Sequence, residues 1–156
     1  MKLYTYYRSS AAYRVRIALN IKELAVLYIP KHLLREGGEH QLDDYLALNP
    51  QGLVPALEHE GRVIGQSLAI IEYLDDAFNG PRLLPDEALA RAAARSLAMA
   101  IACDIHPLNN LRVMNYLKGP LGQDEAAVGR WYAHWVAEGF RGLEEMAKRS
   151  SADGRH

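Results

Sequence analysis

Between residues 78 and 85 the sequence changes character, and that break limits the possible folds more than any other feature. The stretch holds Gly80, Pro81 and Pro85 and reads as a linker. Ahead of it, short β-prone runs alternate with helical patterns; behind it, every periodic segment is helical. Alternating strands and helices wind around one sheet, whereas helices alone pack on each other. The expectation is therefore an α/β unit over residues 1–77, a linker over 78–85 and an all-α unit over 86–156.

In the first half, residues 2–7 are aromatic and strand-like, and Arg8-Ser9-Ser10 punctuates them. Residues 11–20 follow as a helix with Ala12, Val15, Ala18 and Leu19 on one face. A second strand is expected over 25–29, closed by Pro30, and a weaker helix over 41–48. The run Asn49-Pro50-Gln51-Gly52 is a turn. Strands over 56–59 and 62–64 flank a turn at Glu60-Gly61, and a helix over 67–77 completes a mixed four-stranded unit. In the second half, one long helix is expected over 86–117, kinked where Pro107 removes a backbone donor. A loop over 118–122 leads to a second helix over 124–148. Residues 150–156 form a polar tail. Two long helices with aromatic stripes want more packing partners than this, so the helical domain is expected to be truncated or covered by association.

Composition narrows the function. The 156 residues are 49% hydrophobic and 24% charged, with a net charge of -1. No global field exists to draw nucleic acid or an anionic membrane, so neither is expected as a partner. With no leader pattern and no apolar run of roughly 18 residues, a cytoplasmic location is expected. The single Cys103 suits a reducing compartment, and its helical setting suits a small core residue better than a nucleophile. The six histidines show no metal-ligand spacing, so no metal is expected.

Three local arrangements can carry chemistry. Val54-Pro55 follows a glycine turn and precedes a strand, where an X-Pro bond is either trans, opening an edge strand, or cis, turning the Val54 N–H and C=O toward a peptide-like ligand. Gln66-Ser67 begins a helix, where Ser67 is either an ordinary N-cap or part of a carboxylate site. Ser9 likewise is either an N-cap or a hydroxyl donor to a sulfur anion beside a helix start, where a thiolate is favoured over a thiol. A fourth and weaker group, His106, Asn109, Asn110 and Arg112, surrounds Pro107, with His106 and Asn110 on one helical face if the helix runs through.

Taken together and in order, these segments carry a resemblance. The run Ser9-Ser10-Ala11-Ala12-Tyr13-Arg14-Val15-Arg16-Ile17-Ala18-Leu19 resembles the Ser-Ser-Cys-x-Trp-Arg-Val-Arg-Ile-Ala-Leu signature of zeta-class glutathione transferases. Residues 47–57 look like that family's cis-proline segment, and Gln66-Ser67 with residues 68–74 looks like its glutamyl-binding helix start. Residues 103–110 are similar to its bacterial isomerase members. The resemblance implies a thioredoxin-like N-terminal domain, a helical C-terminal domain, a homodimer and glutathione as cofactor. It implies that Ser9 faces the glutathione sulfur, that Ser10, Ala11 and Arg14 shape that loop, and that His40 reaches the glycine end. Val54 is implied to pair with the cysteinyl backbone, Gln66 and Ser67 to hold the γ-glutamyl group, and His106 and Asn110 to line the site. The implied activity is cis–trans isomerisation of a small unsaturated keto-diacid, maleylacetoacetate or maleylpyruvate, by thiolate addition, rotation and elimination. Arg8, Arg14 and Arg112 are the candidate cations for the diacid. The alternatives are a general transferase or dehalogenase using the same thiolate, and a catalytically silent glutathione-binding dimerisation module. Two departures stand out. Ala11 replaces the family cysteine, and the resemblance stops short of the family's later helices, which is where an incomplete helical domain is expected.

Overall fold

Four short strands build the sheet of the N-terminal unit in the computed structural model, which describes residues 1–152; residues 153–156 of the polar tail lie outside the described residues. β1 (Lys2–Thr5) and β2 (Leu27–Pro30) run parallel, joined by the crossover helix α1 (Ser10–Ile21), as a parallel pair requires. After α2 (Asp43–Leu48), β3 (Ala56–His59) pairs antiparallel with β1, and β4 (Arg62–Gly65) with β3, giving the order β2-β1-β3-β4. Glu60 (φ 49°) and Gly61 (φ 73°) both take positive φ, the conformation of a tight hairpin turn. α3 (Ser67–Ala77) ends this unit's regular structure.

The mixed four-stranded sheet and the order of elements are as expected, with three shifts. α2 starts two residues late, at Asp43, because Glu39–Gln41 forms a 3-10 turn of its own. β1 stops at Thr5, because Tyr6 turns its carbonyl to the Ser9 N–H (3.0 Å). β2 starts two residues late, at Leu27.

The alternation of the strands sorts the core. Leu3 and Leu57 point to one face and pack with Val15, Ala18 and Leu19 of α1 and Ile70 and Leu74 of α3. Each of the Leu, Ile and Val side chains contributes roughly 1.5–3 kcal/mol by leaving water. Tyr6, Val54 and Ala56 form a second cluster with Tyr45 of α2. At the rim of the first cluster, Lys22 and Asp75 are a fully buried ion pair (3.3 Å). Asp75 also accepts the Leu83 (2.9 Å) and Leu84 (3.3 Å) N–H groups, and the Lys22 ammonium donates to the Pro81 carbonyl (3.1 Å). The polypeptide leaving α3 is thus clasped to the end of α1. The chain divides into two compact units at Leu84–Pro85.

The second unit is helical, but not as one kinked rod. α4 (Ala88–Met99) is capped by the Glu87 carboxylate, which accepts the Leu89 and Ala90 N–H groups (2.8 and 2.7 Å). It widens into a π turn (Ala100–Ile105) just before Pro107, where an α turn would drive the proline ring into the preceding carbonyl. α5 (His106–Asn109) then stops at Asn110, which is extended (ψ 164°) and caps α6 (Leu111–Lys118) by accepting the Val113 N–H (3.1 Å). The expected continuous helix over 86–117 is therefore broken, because an asparagine side chain competes for the backbone donor. α7 (Glu125–Ala152) lies so close to the π turn that a Cβ on Gly139 would run into the Ile105 side chain. Among the described residues of this unit, Ile105 and Val128 are the buried hydrophobics, while Leu89, Tyr116, Tyr132 and Phe140 remain exposed.

Candidate functional site

Ser9 is the N-cap of α1. Its Oγ accepts the Ala12 N–H (3.1 Å), which engages a lone pair and leaves the hydroxyl proton available to donate. The ordinary capping role and a donor role are thus compatible in one side chain. No acidic residue sits in the first turn of α1, in contrast to α2, where Asp43 and Asp44 answer the positive helix end. The turn carrying Ser9 is tied down by Arg16, whose guanidinium donates to Thr5 Oγ1 (3.2 Å) and to the Tyr6 and Tyr7 carbonyls (both 3.3 Å). Ser10 and Arg8 are exposed, and Ala11 and Arg14 are half-buried.

The second segment carries Val54. The Val54-Pro55 bond is cis, one of the two alternatives open from sequence. The preceding Leu53 carbonyl accepts two side-chain hydrogen bonds, from Tyr45 Oη (2.6 Å) and Asn49 Nδ2 (2.8 Å). Gly52 (φ 58°) accepts from Gln41 Nε2 (3.1 Å), and a Cβ there would crowd both that amide and Leu46. The segment is held from behind, while among the described residues no hydrogen bond engages the Val54 N–H or C=O. Val54 and Tyr6 share one buried cluster, which brings this segment to the end of β1.

At the start of α3 the capping expectation fails. Gln66, not Ser67, occupies the N-cap position, and its side chain caps nothing. Gln66 sits at φ 64°, ψ 116°, a costly conformation for a residue with a Cβ, and donates from Nε2 to Gln51 Oε1 (3.0 Å). Ser67 is buried in the first turn, and among the described residues its hydroxyl makes no hydrogen bond. This helix start also lacks an acidic residue. Strain without a capping return is the pattern of a ligand clamp.

His40 lies in a short 3-10 turn (Glu39–Gln41) against Gly38, where a Cβ would strike the imidazole. Burial pushes its pKa down, toward the neutral ring, and its Nδ1 is buried with no partner among the described residues. An orphaned buried nitrogen calls for a ligand group.

In the helical unit, Asn110 is spent locally: Oδ1 accepts from Val113 and Nδ2 donates to the Pro107 carbonyl (3.0 Å). The break at Asn110 also removes the helical spacing that put it on one face with His106, which is half-buried; Arg112 is exposed. Sequence reading missed Tyr45, Asn49, Gln51, Gln41 and Arg16 as supports. Only Asn49, beside the Pro50–Gly52 turn, carried a local signal.

Within the N-terminal unit, the available groups are the Ser9 O–H, the Val54 N–H and C=O, the Ser67 O–H beside an unanswered helix start, and the His40 imidazole. They suit an extended, peptide-like ligand with an anionic end at α3. Among the described residues, no group of His, Cys, Asp and Glu gathers as a metal set, and no helix is long and apolar enough to cross a membrane.

Known proteins resemble this chain in sequence and fold. The glutathione S-transferase N-terminal domain family matches residues 3–82. The maleylacetoacetate isomerase of Pseudomonas aeruginosa is 51% identical over 147 residues, covering 94% of this chain and 69% of that protein. The maleylpyruvate isomerase of a Ralstonia species is 44% identical over 156 residues, covering 100% and 73%. Among solved structures, the maleylacetoacetate isomerase of Methylobacterium extorquens AM1, with bound malonate and GSH, superposes with a TM-score of 0.87 at 42% identity, covering 93% of this chain and 67% of that one.

Proposed function

The chain belongs to the glutathione S-transferase family, and on that premise we propose that it is a glutathione-dependent cis–trans isomerase of a small unsaturated keto-diacid, maleylacetoacetate or maleylpyruvate. The observation that carries the reading is the pair of helix starts without acidic residues, one bearing the Ser9 hydroxyl with its proton free and the other the unbonded Ser67. The orphaned His40 Nδ1 and the untied Val54 backbone also fit the tripeptide. In this reading Gln66 and Ser67 hold the γ-glutamyl end, Val54 the cysteinyl backbone and His40 the glycine end. Ser10, Ala11 and Arg14 complete the loop.

Bound glutathione, held by Ser9, Val54, Gln66, Ser67 and His40, would supply a thiolate able to add reversibly to the cis double bond, the displaced π pair resting on the conjugated carbonyl oxygen while the bond turns and returning as the thiolate leaves. The chain's own task is electrostatic. Ser9 donates its hydroxyl proton toward the sulfur position, and the α1 start adds partial positive charge, so that the anion is favoured there. Arg8 and Arg14 are the cations that the N-terminal unit offers for the two carboxylates. Fixed donors of this kind need no rearrangement as charge develops.

We extend the reading to a cytoplasmic homodimer organised as domains 1–77 and 86–156 about the linker. The exposed Leu89, Tyr132 and Phe140 support a covered helical surface. The test is a spectrophotometric assay of maleylacetoacetate and maleylpyruvate with and without glutathione. Turnover that requires glutathione supports the proposal, and its absence with both substrates rejects it.

A further inference from the structure

One pocket of the N-terminal unit is not used by this reading. It has a volume of about 520 Å³ and lies where α1, the edge strand β2 and the loop after it meet the end of β1. None of the residues assigned to glutathione lines it.

Its cationic wall is Arg16. Buried Lys22 faces Asp75, and Lys31 faces Asp44. Half-buried Arg16, among the described residues, meets a threonine hydroxyl and two carbonyls, with the Tyr13 ring 5.2 Å from its carbon centre. A guanidinium has five donors, so this one is positioned by three bonds and left with unspent donors and unbalanced charge.

The remaining lining points the same way. His32 Nδ1 accepts the Leu34 and Arg35 N–H groups (3.1 Å each), which places the proton of the neutral ring on Nε2, as a donor. Arg35 adds a second cation. Glu39 is the single acid of the lining, and its Oε2 is taken by the His32 N–H at 2.7 Å. The other walls are aromatic, and Tyr7 and Tyr28 are 71% and 42% exposed. Flat apolar walls with a few convergent donors are the ordinary make-up of a small-molecule site, and the volume falls within the range of such sites.

We propose that this pocket is a second binding site, which takes a small aromatic carboxylate of one or two rings, its carboxylate on Arg16 and its ring against Tyr7 and Tyr28. Arg16 thereby has two tasks, fixing the turn with one set of donors and reading an anion with the others. Aliphatic acids lose the ring contacts, and neutral arenes lose the charge-assisted hydrogen bonds, which are the stronger kind.

The test is calorimetric titration of the full chain with 2-naphthoate, alone and with saturating glutathione, and with 2-naphthalenemethanol as the neutral counterpart. The expected result is saturable one-to-one binding of 2-naphthoate, changed less than about twofold by glutathione, with the alcohol about tenfold weaker or worse. Arg16→Met and Tyr28→Ala should each weaken 2-naphthoate by about tenfold. Tyr28 is an exposed edge-strand residue, so its variant keeps the test sharp if loss of Arg16 unfolds the turn. No saturable binding, equal binding of the alcohol, displacement by glutathione, or unchanged affinity in Tyr28→Ala overturns the proposal.

Discussion

Replacing Asp75 by alanine should destabilise this chain far more than replacing its ion-pair partner Lys22 by methionine. The asymmetry follows from what each change leaves behind. Without Asp75, the Lys22 ammonium, whose side chain has no exposed area, keeps only the Pro81 carbonyl at 3.1 Å. Stranding a buried charge in this way costs about 3–5 kcal/mol. Without the Lys22 ammonium, Asp75 still accepts the Leu83 and Leu84 N–H groups and faces Arg82 Nη2 at 3.4 Å, and the methionine fills the vacated space. That change should cost about 1.5–3 kcal/mol, the scale of one hydrogen bond to a charged group. For a chain of this length about 3 °C is lost per kcal/mol, so the melting point should fall by roughly 9–15 °C in Asp75→Ala and about 5–9 °C in Lys22→Met. Thermal unfolding followed by circular dichroism measures both. The double variant Lys22→Met with Asp75→Ala should lose clearly less than the sum of the two single losses, since no buried ammonium is left unpaired, although the Leu83 and Leu84 N–H groups still lose their acceptor. Equal losses in the two single variants, or strict additivity in the double, would refute the reasoning. The pH dependence gives a second check. Burial pushes the Asp75 carboxyl up, but the Leu83 N–H, Lys22, the Leu84 N–H and Arg82 together hold it below the usual carboxylate range. The unfolded chain therefore takes up this proton more readily. The stabilisation is complete above the ordinary carboxylate value and is lost as pH falls through the lower folded value. The stability gap between the parent chain and Asp75→Asn should narrow on acidification; a constant gap would contradict the depressed value.

Three further outcomes are expected. Ser9→Ala should lower the isomerisation rate by about 10²–10³-fold, as for loss of one preorganised donor, while the glutathione Kd from calorimetry changes little; an unchanged rate would place the sulfur elsewhere. Gly139→Ala should destabilise by about 1–3 kcal/mol, because crowding against Ile105 outweighs the roughly 1 kcal/mol gain in helix propensity, and urea unfolding should show Ile105→Ala costing less in the Gly139→Ala background than in the parent chain. Tyr45→Phe removes one of the two hydrogen bonds on the Leu53 carbonyl, so it should cost about 0.5–1.5 kcal/mol and weaken glutathione binding severalfold; calorimetry showing unchanged affinity would mean that Asn49 alone holds the segment.

What the amino-acid sequence determined by itself was local. The buried face of α1, the bounds of β3 and α3, and the Glu60-Gly61 turn follow from side-chain period and turn chemistry within a few residues, and those forces act wherever the segment sits. Ser9 as a cap is legible for the same reason. At Asn110 after Pro107 the side-chain period pointed to one kinked helix, and the folded backbone shows instead that an asparagine cap breaks it. The supports of the site belong to tertiary structure alone. Lys22 and Asp75 are separated by 53 residues, Gln66 and Gln51 by 15 and Tyr45 and Leu53 by 8, and no period relates them. Their pairing depends on which face of the sheet each element covers. The aromatic pocket at Arg16 is likewise invisible in one dimension, because its lining comes from β1, α1, β2 and the loop after it, which only the fold brings together.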